Sequence, residues 1–375
     1  MERRLIWERI LIVVCAGVLL FFGVGLLTGP AETFSTVENR ALRSLTDLSS
    51  VGLWEEEFLP FLSGVCADQF PLRGPLLSLR VSAARLLGVG EHRGILFGRD
   101  GYLIPKGEYG ADSPLGENVE AIRSLCQAKE NVVLWLLPES RDVMSHCLPW
   151  GYPRGEQESR RVVEGLSDSF ALSREALRHC ALAGEQVFYR TDHHVTTRGA
   201  YECYWVLGHT LGWEPKGENY FERETVSEAF LGSSHSALGG SYPARCDTIE
   251  VYRYSGDGSF LVENGETKTV VKGFYDRSKL EGKDQYQIFM GGNRAFTRIR
   301  AAEGEGRPRY LLIKDSFANC LIPFLAIHAD LDVVDPRYTD KPLSFYLEGD
   351  SYDNILLIAG IGTLATDSSF GRVAQ

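Results

Sequence analysis

One stretch constrains this chain before any other. Ile10–Leu27 is a run of 18 uncharged, mostly apolar residues, which as a helix spans roughly 27 Å, the hydrocarbon thickness of a bilayer. No second segment approaches that length. Arg3, Arg4 and Arg9 precede the run, and Thr28–Asn39 beyond it carries only acidic charge. The positive-inside rule then leaves a short cytoplasmic tip and puts the chain from about residue 30 outside. A cleaved signal peptide is the competing reading, but its apolar core is ordinarily about 7–15 residues and ends at a small-residue site. Thr28-Gly29-Pro30-Ala31 is a poor one. The run is read as an uncleaved single-pass anchor in the cell membrane, with an extracytoplasmic C-terminal domain.

The rest of the chain is long enough to bury its own core without a metal or disulfide staple. Lys+Arg number 39 and Asp+Glu 50 among 375 residues, a net charge of −11. An acidic surface repels phosphate backbones, which argues against a nucleic-acid partner. Seven cysteines (Cys66, Cys126, Cys147, Cys180, Cys203, Cys246 and Cys320) are scattered outside the run with no C-x-x-C pair. A zinc knuckle or redox motif is therefore not indicated. An odd number cannot pair fully within one chain, and most are read as small buried hydrophobes.

Hydrophobic periodicity divides the chain into residues 1–30, the tip and anchor; 31–115, a linker and extension; and 116–375, the main domain. In the extension, Pro75–Leu87 has helical spacing, and His92–Gly107 reads as a hairpin turning at Arg99-Asp100-Gly101. In the main domain, Asn118–Ala128 and 156–182 read as helices. The run NVVLWLL (131–137) is apolar at successive positions, as in a strand covered on both faces. QVFYR (186–190) reads as another strand, followed by a helix capped by Thr196 or Thr197. From about 240 to 305 short β-type runs (TIEVYRY, KTVVKGFY, YQIFM) alternate with turns, which reads as a β-rich insertion. Strand, helix, strand order returns with RYLLI, a helix through Leu325, LDVV and NILLIAG. That order predicts parallel β-α-β units and a three-layer α/β domain.

Two places set reactive side chains at the end of a predicted strand, the edge where open α/β sheets bind ligands. In Thr191-Asp192-His193-His194, an extended chain puts Asp192 and His194 on the same side. An acid on one imidazole nitrogen fixes the tautomer and frees the other nitrogen as a base. Adjacent histidines at a helix start are equally compatible with a structural role. In Lys314-Asp315-Ser316, the serine follows a strand and opens a helix, where backbone N–H groups can hold an oxyanion; the plain alternative is a helix N-cap. A serine nucleophile needs a base, and His194 alone among eight histidines has an acid at same-face spacing. Gly291-Gly292-Asn293 is either a turn or a close-approach loop offering an amide donor.

With these residues in view, the sequence resembles the DHHW protein family of bacterial membrane-anchored proteins. The resemblance rests on Glu38-Asn39-Arg40, Asp68-Gln69-Phe70-Pro71-Leu72-Arg73, Thr191-Asp192-His193-His194, Gly291-Gly292-Asn293 and Lys314-Asp315-Ser316-Phe317-Ala318-Asn319, in that order. The family in turn is similar to SGNH/GDSL-like proteins of alginate and other exopolysaccharide O-acetylation. That likeness implies an SGNH-hydrolase-like fold with a parallel sheet, Asp192 as orienter, His194 as base and Ser316 as nucleophile. Val195 stands where the family name expects Trp, and Lys314 where a G-D-S motif has glycine. No D-x-x-H motif follows Ser316, so the base must come from upstream.

The expected function is a membrane-anchored serine acyl-enzyme, an O-acetyltransferase or esterase acting on cell-surface polysaccharide, with Asn293, Asn319 and His193 beside the oxyanion or substrate. No cofactor and no metal are expected. The resembling systems imply a polytopic membrane protein as acyl donor. The alternative is a non-catalytic envelope protein that binds glycan or an assembly component in the same cleft. A third reading, Asp192-His193-His194 as metal ligands, lacks the further Asp-rich motifs such sites need.

Overall fold

The structure, a computed structural model, describes residues 2–374 apart from 51–55, 108, 111, 153–162, 241, 304–305 and 349–350. Trp54 and the first part of the helix expected at 156–182 lie outside the described residues. The chain divides into two compact units, Met1–Val89 with His235–Pro243, and Gly90–Ser234 with Ala244–Gln375.

The first unit opens on the helix Glu2–Thr28, of which Ile6–Leu26 is long and apolar enough to cross a membrane. Two shorter helices follow, Phe58–Asp68 and Arg73–Leu86. The Glu38-Asn39-Arg40 and Asp68–Arg73 motifs meet in a network of ion pairs. Arg40 bridges Glu38 (2.8 Å) and Asp68 (2.5 Å), and Arg73 pairs with Glu38. Burial alone would raise the Glu38 and Asp68 pKa values, but the arginines hold both below the usual carboxylate range.

The second unit is built on a seven-stranded sheet. In chain order its strands are β1 (Val132–Leu137), β2 (Leu261–Asn264), β3 (Val270–Lys272), β4 (Phe296–Arg300), β5 (Arg309–Lys314), β6 (Asp330–Val334) and β7 (Asn354–Gly360). The spatial order is β3-β2-β4-β6-β5-β7-β1. The strands β6, β5, β7 and β1 run parallel. The other three add an antiparallel wing. The expected parallel sheet is thus the core of a mixed one, and the β-rich segment is partly woven into it. Asp247–Arg253 instead pairs with Glu222–Phe230 in a separate ribbon. The run YQIFM begins inside the 3-10 turn Gln285–Ile288, and 186–190 forms only the bridge Phe188–Val195.

Successive apolar residues in the strands are explained by cover on both faces. Leu312, Leu356, Ile358 and Trp135 pack on one side with Leu177, Ala200, Tyr204 and Leu207. These partners come from the helices Ser169–Leu182 and Thr197–Thr210. Leu311, Ile313, Leu357 and Leu136 pack on the other side with Val119, Ile122 and Leu364. This is the expected three-layer arrangement. Thr196 caps its helix as expected, accepting from Gly199 N–H (3.1 Å). Leu312 is fully buried on β5, which is flanked by parallel strands on both sides, so Leu312→Ala is expected to cost about 2–5 kcal/mol, read as a lower urea midpoint at unchanged slope.

Candidate active site

The candidate residues gather beyond the C-terminal ends of β5, β6 and β7, where parallel α/β sheets bind ligands. Asp315 ends β5 and turns the chain. Its Oδ1 accepts from Phe317 N–H (2.9 Å) and its Oδ2 from Gly360 N–H (2.8 Å) at the end of β7. Burial pushes its carboxyl pKa up. Asp315 is the cap of the turn Ser316–Cys320, so the N-cap role open to Ser316 belongs to its neighbour. The first N–H groups of a helical turn have no partner within it, which leaves Ser316 N–H available. The helix expected through Leu325 is this 3-10 turn followed by the single α-turn Ile322–Leu325.

The histidine segment bends instead of extending. Asp192 Oδ1 accepts from His194 N–H (2.9 Å) and from His194 Nδ1 (2.6 Å), while its Oδ2 accepts from Ser233 N–H (2.7 Å). The two side chains therefore meet through a local turn, not through strand alternation. With Nδ1–H bound to a carboxylate, Nε2 is the basic nitrogen, and it lies 2.9 Å from Ser316 Oγ. Asp192 and His194 are buried and Ser316 is half-buried. Burial would raise the Asp192 pKa, but the two histidines and the hydrogen bonds hold it far below the ordinary carboxylate range.

Gly232 is required beside this turn, because a Cβ there would come within 2.3 Å of Asp192 Cβ. Val195, in place of the family's Trp, is fully buried in the core.

Three supporting residues carried no sequence signal. Asp247, buried, accepts from Gln186 Nε2 (2.8 Å), Arg190 N–H (2.9 Å), Thr191 N–H (2.8 Å) and Thr191 Oγ1 (2.7 Å). It fixes the backbone that delivers Asp192. Tyr286 stacks on the His194 ring at 3.8 Å between centroids and 9° between planes. Its hydroxyl donates to the Ser316 carbonyl (3.1 Å), so one side chain touches both His194 and Ser316. Asp335, at the end of β6, is the third. It pairs with Lys314 (3.1 Å) and Arg337 (2.7 Å), and although burial would raise its pKa, those cations lower it.

Asn293 and Asn319 come together. Asn293 Oδ1 accepts from Lys314 Nζ (3.0 Å) and from Asn319 Nδ2 (3.0 Å). Asn319 is buried and its amide N–H is committed to Asn293. Both flanks of Ser316 thus hold the Asn293 amide. His193 lies beside His194, with ring centroids 3.8 Å apart and Nδ1 within 2.5 Å of Ser233 Oγ. Burial first, then the His194 ring, lowers its pKa to about 4. The donor atoms of Asp192, His193 and His194 lie within 4.8 Å of one another, close enough for a metal. Both His194 nitrogens are already engaged, however, so a metal using that ring must displace Asp192 or Ser316.

The sequence profile described as DHHW protein matches residues 175–334, which contain Asp192, His194, Asn293 and Ser316. The resemblance expected from the motifs is met there. No curated protein matches the sequence. Among solved structures, the chain is similar to a DHHW family protein from Eubacterium siraeum at 21% identity and TM-score 0.59, over 75% of this chain and 95% of that one. It is also similar to Bacillus cereus PatB1 at 16% identity and TM-score 0.57, over 73% and 98%. The same protein with a sulfonyl adduct gives 15% identity and TM-score 0.56, over 73% and 97%. These likenesses establish a shared fold.

Two outcomes are expected. Asp247→Ala leaves buried N–H groups unpaired at about 1–3 kcal/mol each, and a chemical denaturation curve reads the loss. Asp192 has a lowered folded pKa, so its contribution is complete above the unfolded value of about 3.9 and is lost as pH falls through the folded value. Stability measured below about pH 4 should therefore fall more steeply with acid in the wild type than in Asp192→Asn.

Proposed function

We propose that this protein is a membrane-anchored, extracytoplasmic serine acyl-enzyme that moves an acyl group, acetyl in the first instance, onto hydroxyls of cell-surface polysaccharide or onto water. The observation that carries the reading is the continuous chain Asp192–His194–Ser316, 2.6 Å and 2.9 Å per link. Its roles are those of a serine triad, which geometry defines independently of chain order.

Ser316 Oγ attacks the donor's acyl carbonyl as its proton passes to His194 Nε2, and Asp192 stabilises the imidazolium. The oxyanion is met by Ser316 N–H and by the Asn293 amide, while Asn319 supports Asn293 from behind. The donor's alcohol or thiol leaves with the proton from His194. An acceptor hydroxyl then gives its proton to His194 and attacks the acyl-serine, and Ser316 recovers its proton as the product ester leaves. His193, next to His194, forms a wall of the acceptor side. The acyl donor is delivered by a polytopic membrane protein, and the apolar helix Ile6–Leu26 holds the enzyme at the same membrane. A sulfonyl adduct on PatB1, a protein of similar fold, is in keeping with a sulfonyl-reactive centre here.

The test uses the full chain in detergent micelles with an activated acetyl ester, followed by intact-mass and peptide mass spectrometry. Turnover and an acetyl adduct on Ser316 are expected. Both should vanish in Ser316→Ala and His194→Ala, and Asp192→Asn should lower turnover by as much as about 10⁴-fold. A sulfonyl fluoride should block turnover by modifying Ser316. A folded wild type with no adduct and no turnover overturns the acyl-enzyme reading in favour of a glycan-binding cleft.

A further inference from the structure

Two motifs remain unused by this chemistry, Glu38-Asn39-Arg40 and Asp68–Arg73, and both lie in the unit that carries the apolar helix. The Asp68–Arg73 turn packs directly onto that helix. Phe70 stacks on Phe22, with centroids 4.6 Å apart and planes at 21°. Pro71 lies over Gly25 so closely that a Cβ there would come within 2.7 Å of Pro71 Cγ. Gln69 is stitched to the chain just past the helix, donating to Glu32 O (2.8 Å) and accepting from Glu32 N–H (3.0 Å).

Depth follows from helix geometry. Phe22 is five residues short of the end of the apolar run at Leu27, about 7 Å inward along the axis at 1.5 Å per residue. The Phe70 ring touching it sits at that depth. The ion pairs of Glu38 with Arg40 and Arg73, and of Asp68 with Arg40, bracket Phe70–Leu72 on both sides. Leu72 itself is held in the left-handed region at φ 59°, a conformation a leucine adopts only where its surroundings impose it.

The helix Arg73–Leu86 that follows buries Val81 and leaves an apolar stripe uncovered in its own unit. Leu72 is 59% exposed, Leu76 39%, Leu79 66% and Leu86 89%. Their spacing of four, three and seven puts them on one face. Arg80 is exposed next to this stripe, as in helices that lie at a lipid–water boundary with cations at headgroup level.

We infer that Phe70–Leu79 is a second membrane contact, with lipid acyl chains beside the anchor as its occupant, so that the first unit is seated on the bilayer instead of hanging from a tether. The inference rests on the anchor reading of the apolar helix. Continuity with that helix singles out lipid, because the turn begins against a span residue and the leucine stripe leads away from the same point.

The test places the full chain in nanodiscs of phosphatidylcholine and phosphatidylglycerol containing a phosphatidylcholine with a diazirine-bearing acyl chain. Photolysis and peptide mass spectrometry then read the labelled segments. Adducts are expected on the span and on the peptide covering Phe70–Leu79. In Leu76→Glu/Leu79→Glu, labelling of that peptide should drop by about tenfold while span labelling stays constant, since charge is excluded from hydrocarbon. Both leucines are exposed, and unchanged thermal unfolding shows that the variant keeps its fold. A labelled span with an unlabelled Phe70–Leu79 peptide overturns the inference and leaves the anchor standing. Replacement of the lipid adducts by crosslinks between copies overturns it in favour of a second chain. An unlabelled span overturns the anchor reading and the inference together.

Discussion

A single hydrogen bond, His194 Nε2 to Ser316 Oγ, joins segments 122 residues apart, and much of the second unit is arranged to allow it. The serine side comes from β5, whose direction is fixed by parallel partners on both sides. Asp315 then ties the turn to Gly360 at the end of β7. The histidine side has no such strand. Its backbone is held by the Asp247 carboxylate from the antiparallel ribbon, and its ring by Asp192 on the edge and Tyr286 on the face. Each contact removes a freedom the imidazole would otherwise keep. The ribbon and the 3-10 turn bearing Tyr286 are thus part of the site's scaffold, not decoration on the main sheet.

What could be read from the sequence follows from what is local. The strands β1, β5, β6 and β7 were legible because cover on both faces demands unbroken apolar runs. Thr196 was legible because capping is a one-turn affair. Asp192 and His194 were found by spacing, though for an imperfect reason, since the turn closes by a carboxylate reaching its own i+2 N–H. Asp247, Tyr286 and Asp335 were not legible. Their value comes from contacts with residues distant in the chain, 56 residues from Asp247 to Thr191, 30 from Tyr286 to Ser316 and 21 from Asp335 to Lys314, and no local pattern encodes those. The segment 240–305 is legible as β-rich, but which of its short strands join the main sheet depends on the sheet order, which no local pattern encodes.

The left-hand part of the chain teaches a complementary lesson. The Glu38 and Asp68 motifs mix acids, arginines and an amide. In the structure their charges satisfy one another, which is how partly buried ionic groups persist. What they hold is an apolar turn, Phe70–Leu72, against the N-terminal apolar helix. Polar residues here define the geometry of an apolar contact, and the leucine stripe beyond it is uncovered within its own unit.

Lys314 is the residue hardest to reconcile with a plain structural account. It stands where a related motif has glycine, and its ammonium is buried, which lowers its pKa by desolvation although Asp335 works against the shift. A buried cation is tolerated only when paired and fully hydrogen-bonded, and Asp335 supplies the pair. The second partner, Asn293 Oδ1, is the informative one. An ammonium has donors only, so it must face the amide oxygen. Asn319 Nδ2 also donates to that oxygen, and two donors fill its lone pairs. What remains of the Asn293 side chain is its NH₂ group, which carries one long contact, 3.5 Å to the Tyr338 hydroxyl. An asparagine free to flip presents oxygen or nitrogen with little preference, whereas this one is fixed with its oxygen tied to both flanks of Ser316. In the proposed acyl transfer the charge that develops beside Ser316 is negative, and a locked donor would meet it without reorganisation. The desolvation penalty at Lys314 is therefore accounted for by the orientation it enforces.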